Sequence, residues 1–197
     1  MLDDLLATFD TERLKTLSVW SEVRDGDMER RLTPRSRTLH EHMVHQCVSE
    51  STWMRTMLAY PGTEPMLPTS ETRTAFVDHY LAASTAHLAH LRDFPPSWFG
   101  EPTSFFGELR SRFWVLLRRL NHTAHHRGQM TVLLRGLGAD LYSTYGPTAD
   151  TGGLFQNKAP VIYRHPDLES LQSHIHEGGP LPPLPGLGDL PVTERPG

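Results

Sequence analysis

At 197 residues and a formal charge of −4, with no run of Lys or Arg longer than two, the chain suits a single domain with an appendage and gives no basic surface that could track a phosphate backbone. No apolar stretch approaches the ~20 residues of a membrane span, and the acidic start Met1-Leu2-Asp3-Asp4 lacks the parts of a signal peptide, so neither nucleic acid nor membrane is expected as a partner and a cytoplasmic location is expected. Cys47 is the single cysteine, which excludes an internal disulfide, while the histidine content of twelve is high and turns attention to metal chemistry.

In chain order, Leu2, Leu5, Leu6, Phe9, Leu14, Leu17 and Trp20 recur among charged residues, which predicts an amphipathic helix from about residue 2 to 24, ending near Asp25-Gly26-Asp27. A second helix is expected to open after Thr33-Pro34, with proline at its first position, and to run to Tyr60-Pro61-Gly62. Its apolar stripe is Leu39, Met43, Cys47, Met54 and Leu58. A third opens near Ser70 or Thr72, carries Phe76, Tyr80, Leu81, Leu88 and Leu91, and stops before Pro95-Pro96. A fourth is expected from Ser104 to Leu137, before Gly138. No strand alternation stands out. The predicted class is therefore all-α: a four-helix bundle over residues 1–155, whose Pro- and Gly-containing linkers leave room for a crossover connection. Residues 156–197 read as an irregular C-terminal extension with a short helix near 167–176. From Gly178 onward, with six prolines in twenty residues, a disordered or draped tail is expected.

The chemistry concentrates in the fourth segment, at Asn121-His122-Thr123-Ala124-His125-His126-Arg127-Gly128-Gln129. His122 and His126 are four residues apart, so on a helix they project from one face with Cβ atoms about 5–6 Å apart. Two imidazoles at that spacing need only a further ligand from another element to chelate a divalent ion. H-x-x-x-H alone is equally compatible with a polar, hydrogen-bonded surface patch, and Thr123 stands where a zinc peptidase of the H-E-x-x-H kind has its Glu. With Phe113 as origin of a helical wheel, Leu117, Leu120, Ala124 and Thr131 fall within about 40° of it and form the expected core stripe. Val115, His122, His126, Gln129 and Leu133 gather on nearly the opposite side, and His125 falls between. The second segment offers His40, His42 and His45 as further ligands, with Cys47 as a rival that its apolar neighbours mark as a core residue. Glu50 shares that stripe, where an unpaired carboxylate is costly, so it calls for a histidine or an arginine of the fourth helix. His79, His87 and His90 read as surface or packing residues, and Trp98, Phe99, Phe105 and Phe106 as packing or, less favoured, a substrate lid.

Arg118-Arg119-Leu120-Asn121-His122-Thr123-Ala124-His125-His126-Arg127-Gly128-Gln129, then Leu133-Leu134-Arg135-Gly136-Leu137-Gly138, together with His45, Glu50 and Trp53 in the second segment, resemble the DinB-like (DinB/YfiT) superfamily of metal-dependent four-helix proteins over residues 5–155. The resemblance implies a three-histidine site on His45, His122 and His126, with His42, one turn earlier, as rival to His45. It leaves His125 outside the ligand set and gives Arg127 and Gln129 a role in orienting the site or pairing with Glu50. It implies a divalent transition metal, zinc or nickel foremost, and a homodimer. Three functions remain open: a metal-dependent enzyme, such as an S-transferase joining a low-molecular-weight thiol to an electrophile or a hydrolase, in stress or detoxification; a non-catalytic stress protein whose bundle the metal staples together; or a helix-bundle interaction module whose histidines hold no metal.

Overall fold

The computed structural model describes residues 2–186 and Thr193. It is mostly helical, with one small two-stranded sheet, and divides into two compact units, Met1–Met130 and Thr131–Gly197.

Helix α1 spans Leu2–Ser21, with Asp3 and Asp4 in its first turn, where carboxylates complement the helix dipole. Leu5, Phe9, Thr16, Leu17 and Trp20 are buried at helical spacing. Helix α2 is Leu39–Met57, five residues later than Thr33-Pro34 suggested. The physical reason is a capping box. The Thr38 hydroxyl accepts from the Glu41 amide (3.0 Å) and the Glu41 carboxylate accepts from the Thr38 amide (2.8 Å), which satisfies two donors that a helix start otherwise leaves open. Thr33 to Ser36 instead form a turn, with the Ser36 amide donating to the Thr33 carbonyl at 3.0 Å. Helix α3, Arg73–Arg92, is capped by the Thr72 hydroxyl accepting from the Ala75 amide. A single short turn, α4 (Pro96–Gly100), follows with proline in its first turn.

The sharpest departure from expectation lies next. Residues predicted to open the fourth helix form an antiparallel hairpin, β1 (Pro102–Phe105) and β2 (Glu108–Ser111), in the register Pro102↔Ser111 to Phe105↔Glu108. Its two-residue turn, Phe106-Gly107, has φ of 49° and 93°, the left-handed pair that a primed hairpin turn requires. Both strands are largely exposed, so no buried alternation marks them in the sequence, and Phe106 and Leu109, which fall within the expected fourth helix, are each 71 % exposed. Helix α5 therefore starts at Arg112 and runs to Gly136, with the Ser111 hydroxyl accepting from the Trp114 amide at its start.

The expected core stripe of α5 also shifts. Leu117 is exposed, and the buried series is Val115, Leu116, Arg119, Leu120, Thr123, His126, Arg127 and Met130. Two arginines occupy that face because each meets a buried glutamate on another helix. In the first unit, α1 lies along α3 and α2 packs against α3. Arg127 of α5 reaches Glu12 and Thr16 of α1, and Arg119 of α5 reaches Ser49 and Glu50 of α2. The apolar core joins Leu6 and Phe9 of α1, Met54 and Leu58 at the end of α2, Leu88 and Leu91 of α3, Phe99 of α4, and Leu116 and Leu120 of α5.

In the second unit, the Asp150 carboxylate accepts from Arg135 (2.5 Å) and from the Leu141 amide (3.0 Å), and Ser143 and Ile162 exchange two hydrogen bonds. Helix α6, Leu168–Glu177, matches the short helix expected there and is capped by Asp167. Of the expected tail, residues 178–186 are coil draped on this unit, through Tyr142 Oη to the Pro182 carbonyl (2.9 Å) and the Gly186 amide to the Asp150 carbonyl (3.1 Å). The remainder lies outside the described residues, Thr193 excepted.

Candidate metal centre

Three of the twelve histidines converge. His45 comes from the middle of α2, and His122 and His126 come from successive turns of α5. Nε2 of His122 lies 3.3 Å from Nε2 of His45 and 3.2 Å from Nε2 of His126, and one ring nitrogen of each residue lies within 4.8 Å of the other two. Two ligands held about 2.0–2.1 Å from a tetrahedral ion stand roughly 3.3–3.4 Å apart, so the two measured edges have the size of a zinc-type site. Among the described residues this is the one group of His, Cys, Asp or Glu side chains with metal-ligand spacing. The donor set fits a divalent transition metal.

Electrostatics keep the donors usable. Burial, then the positive charge of Arg119 and the neighbouring rings, pushes His122 down to about 4. Burial, then His122 and His45, pushes His126 down to about 3. His45 is lowered as well, by burial and then by Arg37 and Arg119. All three rings are neutral at pH 7 and carry lone pairs.

Which nitrogen carries the proton follows from the partners. The His126 Nδ1–H donates to Gln129 Oε1 (2.8 Å), which turns the Nε2 lone pair toward the cluster, the usual arrangement of a supported ligand histidine. At His122 the arrangement is opposed. Arg119 Nη1 lies 3.1 Å from His122 Nδ1, and a guanidinium only donates, so this Nδ1 accepts and the proton sits on Nε2. Ligation through His122 Nε2 requires that proton to move to Nδ1 and Arg119 to release the contact. Nη1 keeps its bond to Ser49 Oγ (2.8 Å) when it does so.

Behind Arg119 is a buried polar network. Glu50, 2 % exposed, accepts from Tyr80 Oη (2.6 Å), from His87 Nδ1 (3.0 Å) and from Arg119 Nη2 (3.5 Å). Burial alone raises a carboxyl pKa, but the His87 hydrogen bond, the Arg119 charge and Tyr80 outweigh it, and Glu50 is held below its ordinary value. The anticipated arginine of the fourth helix is thus Arg119, and the histidine comes from α3. His87, read from sequence as a packing or surface residue, is 1 % exposed and sits in this network. Tyr80 and His87, two turns apart on α3, were the available signal. Arg127, expected to orient the site or pair with Glu50, pairs with Glu12.

The other candidates separate cleanly. His42 is buried against His126, with ring centroids 5.6 Å apart, and its Nδ1 has no hydrogen-bond partner, whereas His45 faces His122. His40 pairs with Glu71 at 2.5 Å. Cys47 is buried away from the cluster, and burial pushes its thiol up, far from the thiolate form. His125 is exposed. Trp53 lies 5.5 Å from the His122 ring and carries Phe105 (5.2 Å) and Phe106 (6.0 Å) of the hairpin, so the aromatic residues of the linker roof the edge of the site.

The model of the DinB family matches residues 1–157, most of the chain. The chain belongs to the DinB family. This DinB-family chain is 26 % identical over 163 residues to the uncharacterized protein YrdA of Bacillus subtilis (strain 168), covering 82 % of this chain and 98 % of that one. Among solved structures it is similar to a DinB-like protein from Bacillus cereus ATCC 10987, with a TM-score of 0.66, 23 % identity, and coverage of 73 % of this chain and 97 % of the other. It is also similar to the DinB-like protein YjoA from Bacillus subtilis, with a TM-score of 0.56 at 14 % identity over 68 % of this chain and 92 % of the other. At these identities the structural likeness speaks for the fold.

Proposed function

We propose that this chain binds a divalent transition metal, zinc or nickel foremost, through His45, His122 and His126, and uses it as a metal-dependent enzyme of the thiol S-transferase or hydrolase kind, acting in stress or detoxification. The convergence of three neutral imidazoles from two helices, with Nε2 edges of 3.2 and 3.3 Å, carries this reading. Three ligands leave coordination positions open, and a metal held there supplies Lewis acidity toward a thiol, water or carbonyl group. The chain's own residues prepare the site: Gln129 fixes the His126 tautomer, the Arg119 charge helps hold His122 neutral, and Trp53 with the hairpin aromatics shields one edge. Within this proposal, the four long helices form a bundle with a crossover connection at one of the linkers 61–70 and 94–103. The active species is a cytoplasmic homodimer, and its substrates are a small thiol and an electrophile.

A second reading is a non-catalytic bundle stapled by the metal, favoured by the fact that the ligands tie α2 to α5. An open cleft bordering His45 supports the enzyme instead. Metal analysis of untagged protein is expected to find stoichiometric metal in the wild type and its loss in His122→Ala and His126→Ala; unchanged content in both variants rejects the site. A metal-loaded sample is expected to conjugate a thiol to at least one member of a panel of electrophiles. Turnover of none, with a metal-dependent gain in thermal stability, selects the staple.

A further inference from the structure

The loop before α2 and the first turns of that helix border a cleft of about 670 Å³, and His45 is part of its wall. The charges in the wall are not balanced. Arg31 pairs with Glu41 at 3.3 Å, and His40 pairs with Glu71 at 2.5 Å, so both carboxylates of the wall are engaged. Arg35 and Arg37 also line the cleft, and neither has a side-chain hydrogen bond or ion pair among the described residues. Their loop is ordered by its own bonds. Ser36, between them, bridges the Thr33 amide (3.0 Å) and carbonyl (2.9 Å), and Thr38 immediately beyond is locked by the capping box with Glu41.

Two exposed guanidinium forks with no protein partner among the described residues, on a loop held by its own bonds and lining a concavity that also holds a candidate metal ligand, match one kind of ligand. We infer that this cleft is an anion subsite, in which Arg35 and Arg37 grip the carboxylate or phosphate of a small molecule whose other end reaches the histidine cluster at His45. Guanidinium is suited to both groups because its parallel N–H donors meet two oxygens at once. A small ligand is indicated rather than a nucleic acid, because the subsite has two unpaired cations in a chain of net charge −4, whereas a polyanion is held by many. The position beside His45 deepens the metal-site reading by assigning the substrate a negative charge, and rests on that reading only for what the far end of the ligand meets. Arg35 and Arg37 are positioning residues for the anion.

Calorimetric titration of the full chain with succinate and with inorganic phosphate, at low ionic strength and in both zinc-loaded and metal-free forms, tests this. Arg35→Gln combined with Arg37→Gln is expected to weaken the tighter of the two probes by about tenfold or more, in both forms, with zinc content unchanged. Arg92→Gln combined with Arg110→Gln removes the same charge elsewhere and is expected to leave binding within about twofold, as screened surface charges do. Whichever probe binds more tightly identifies the group as carboxylate or phosphate. Wild-type anion affinity in the Arg35/Arg37 double variant overturns the subsite, as does an equal loss in the control variant. The two readings fail separately: arginine-dependent anion binding without zinc uptake leaves the subsite and removes the metal, and zinc uptake with arginine-independent anion binding does the reverse.

Discussion

Arg119 and Arg127 stand eight residues apart on α5, both essentially buried, at 0 % and 2 % exposed, and each paired with a buried glutamate on another helix. They do different work. The bonds of Arg127 go to α1: to the Glu12 carbonyl (3.2 Å), the Glu12 carboxylate (2.5 Å) and Thr16 Oγ1 (3.1 Å), which makes it a clamp between helices. Arg119 divides its donors among the Gln46 carbonyl, Ser49 Oγ and Glu50 of α2 and His122 of its own helix, so the pair that satisfies a buried carboxylate also touches a candidate metal ligand. A guanidinium tied to a buried glutamate of another helix is a structural cost offset by its partner. One that spends a donor on a ring nitrogen couples the fold to the site.

The largest effect is expected at the clamp. Arg127→Met leaves Glu12 with a buried, undercompensated charge and is expected to cost about 3–5 kcal/mol in denaturant unfolding, most of which returns when Glu12→Leu is added, because well-packed apolar groups replace a buried pair at little cost. Metal content of the folded fraction is expected to stay as in the wild type. A change in metal content would break the comparison by linking Arg127 to the site.

Arg119→Gln is expected to be milder for stability, about 1.5–3 kcal/mol for the lost charge-assisted bonds, because Tyr80 and His87 still serve Glu50. It has a second readout that a merely structural arginine lacks. Removing its positive charge is expected to raise the His122 pKa from about 4, measurable by ring-proton NMR of the metal-free protein. An unmoved His122 titration would show that Arg119 and Arg127 are equivalent after all.

Acid is the gentlest perturbation and acts first on the histidine side. His42, His122 and His126 are held near 4, 4 and 3, chiefly by burial, while an unfolded chain titrates them near the ordinary 6.5. The unfolded state therefore takes up protons first, so the stability these rings contribute is complete above about pH 6.5 and is lost progressively as pH falls toward their folded values. Unfolding curves of metal-free protein between pH 7 and pH 4 are expected to show that loss. His126→Gln is expected to flatten it.

Much of this was legible in the chain. The 3.6-residue spacing of apolar residues located α1 and α3, the cap at Thr72 and the proline pair after Asp93 bounded α3, and His122 with His126 followed from i,i+4 spacing on α5. His45 came from the resemblance carried by His45, Glu50 and Trp53, and the structure sets its Nε2 beside that of His122. Other features were hidden for physical reasons. The hairpin at 102–111 is exposed on both strands and turns through Phe106 in a left-handed conformation that few phenylalanines adopt, so its apolar residues imitate a helix start. The α2 start was visible in Thr38-x-x-Glu41 but was outbid by Thr33-Pro34.

By itself, then, the sequence determined where most of the helices lie and which turns of α5 carry the histidine pair, because both depend on spacing within a few residues. Only the tertiary structure decided that arginines belong to the buried face of α5, that His87 and Tyr80 complete Glu50, and that two guanidiniums beside His45 stay unpaired. A charge is tolerated in a core, or left open in a cleft, according to what another element brings opposite it, and that juxtaposition is set by packing across tens of residues rather than by local pattern.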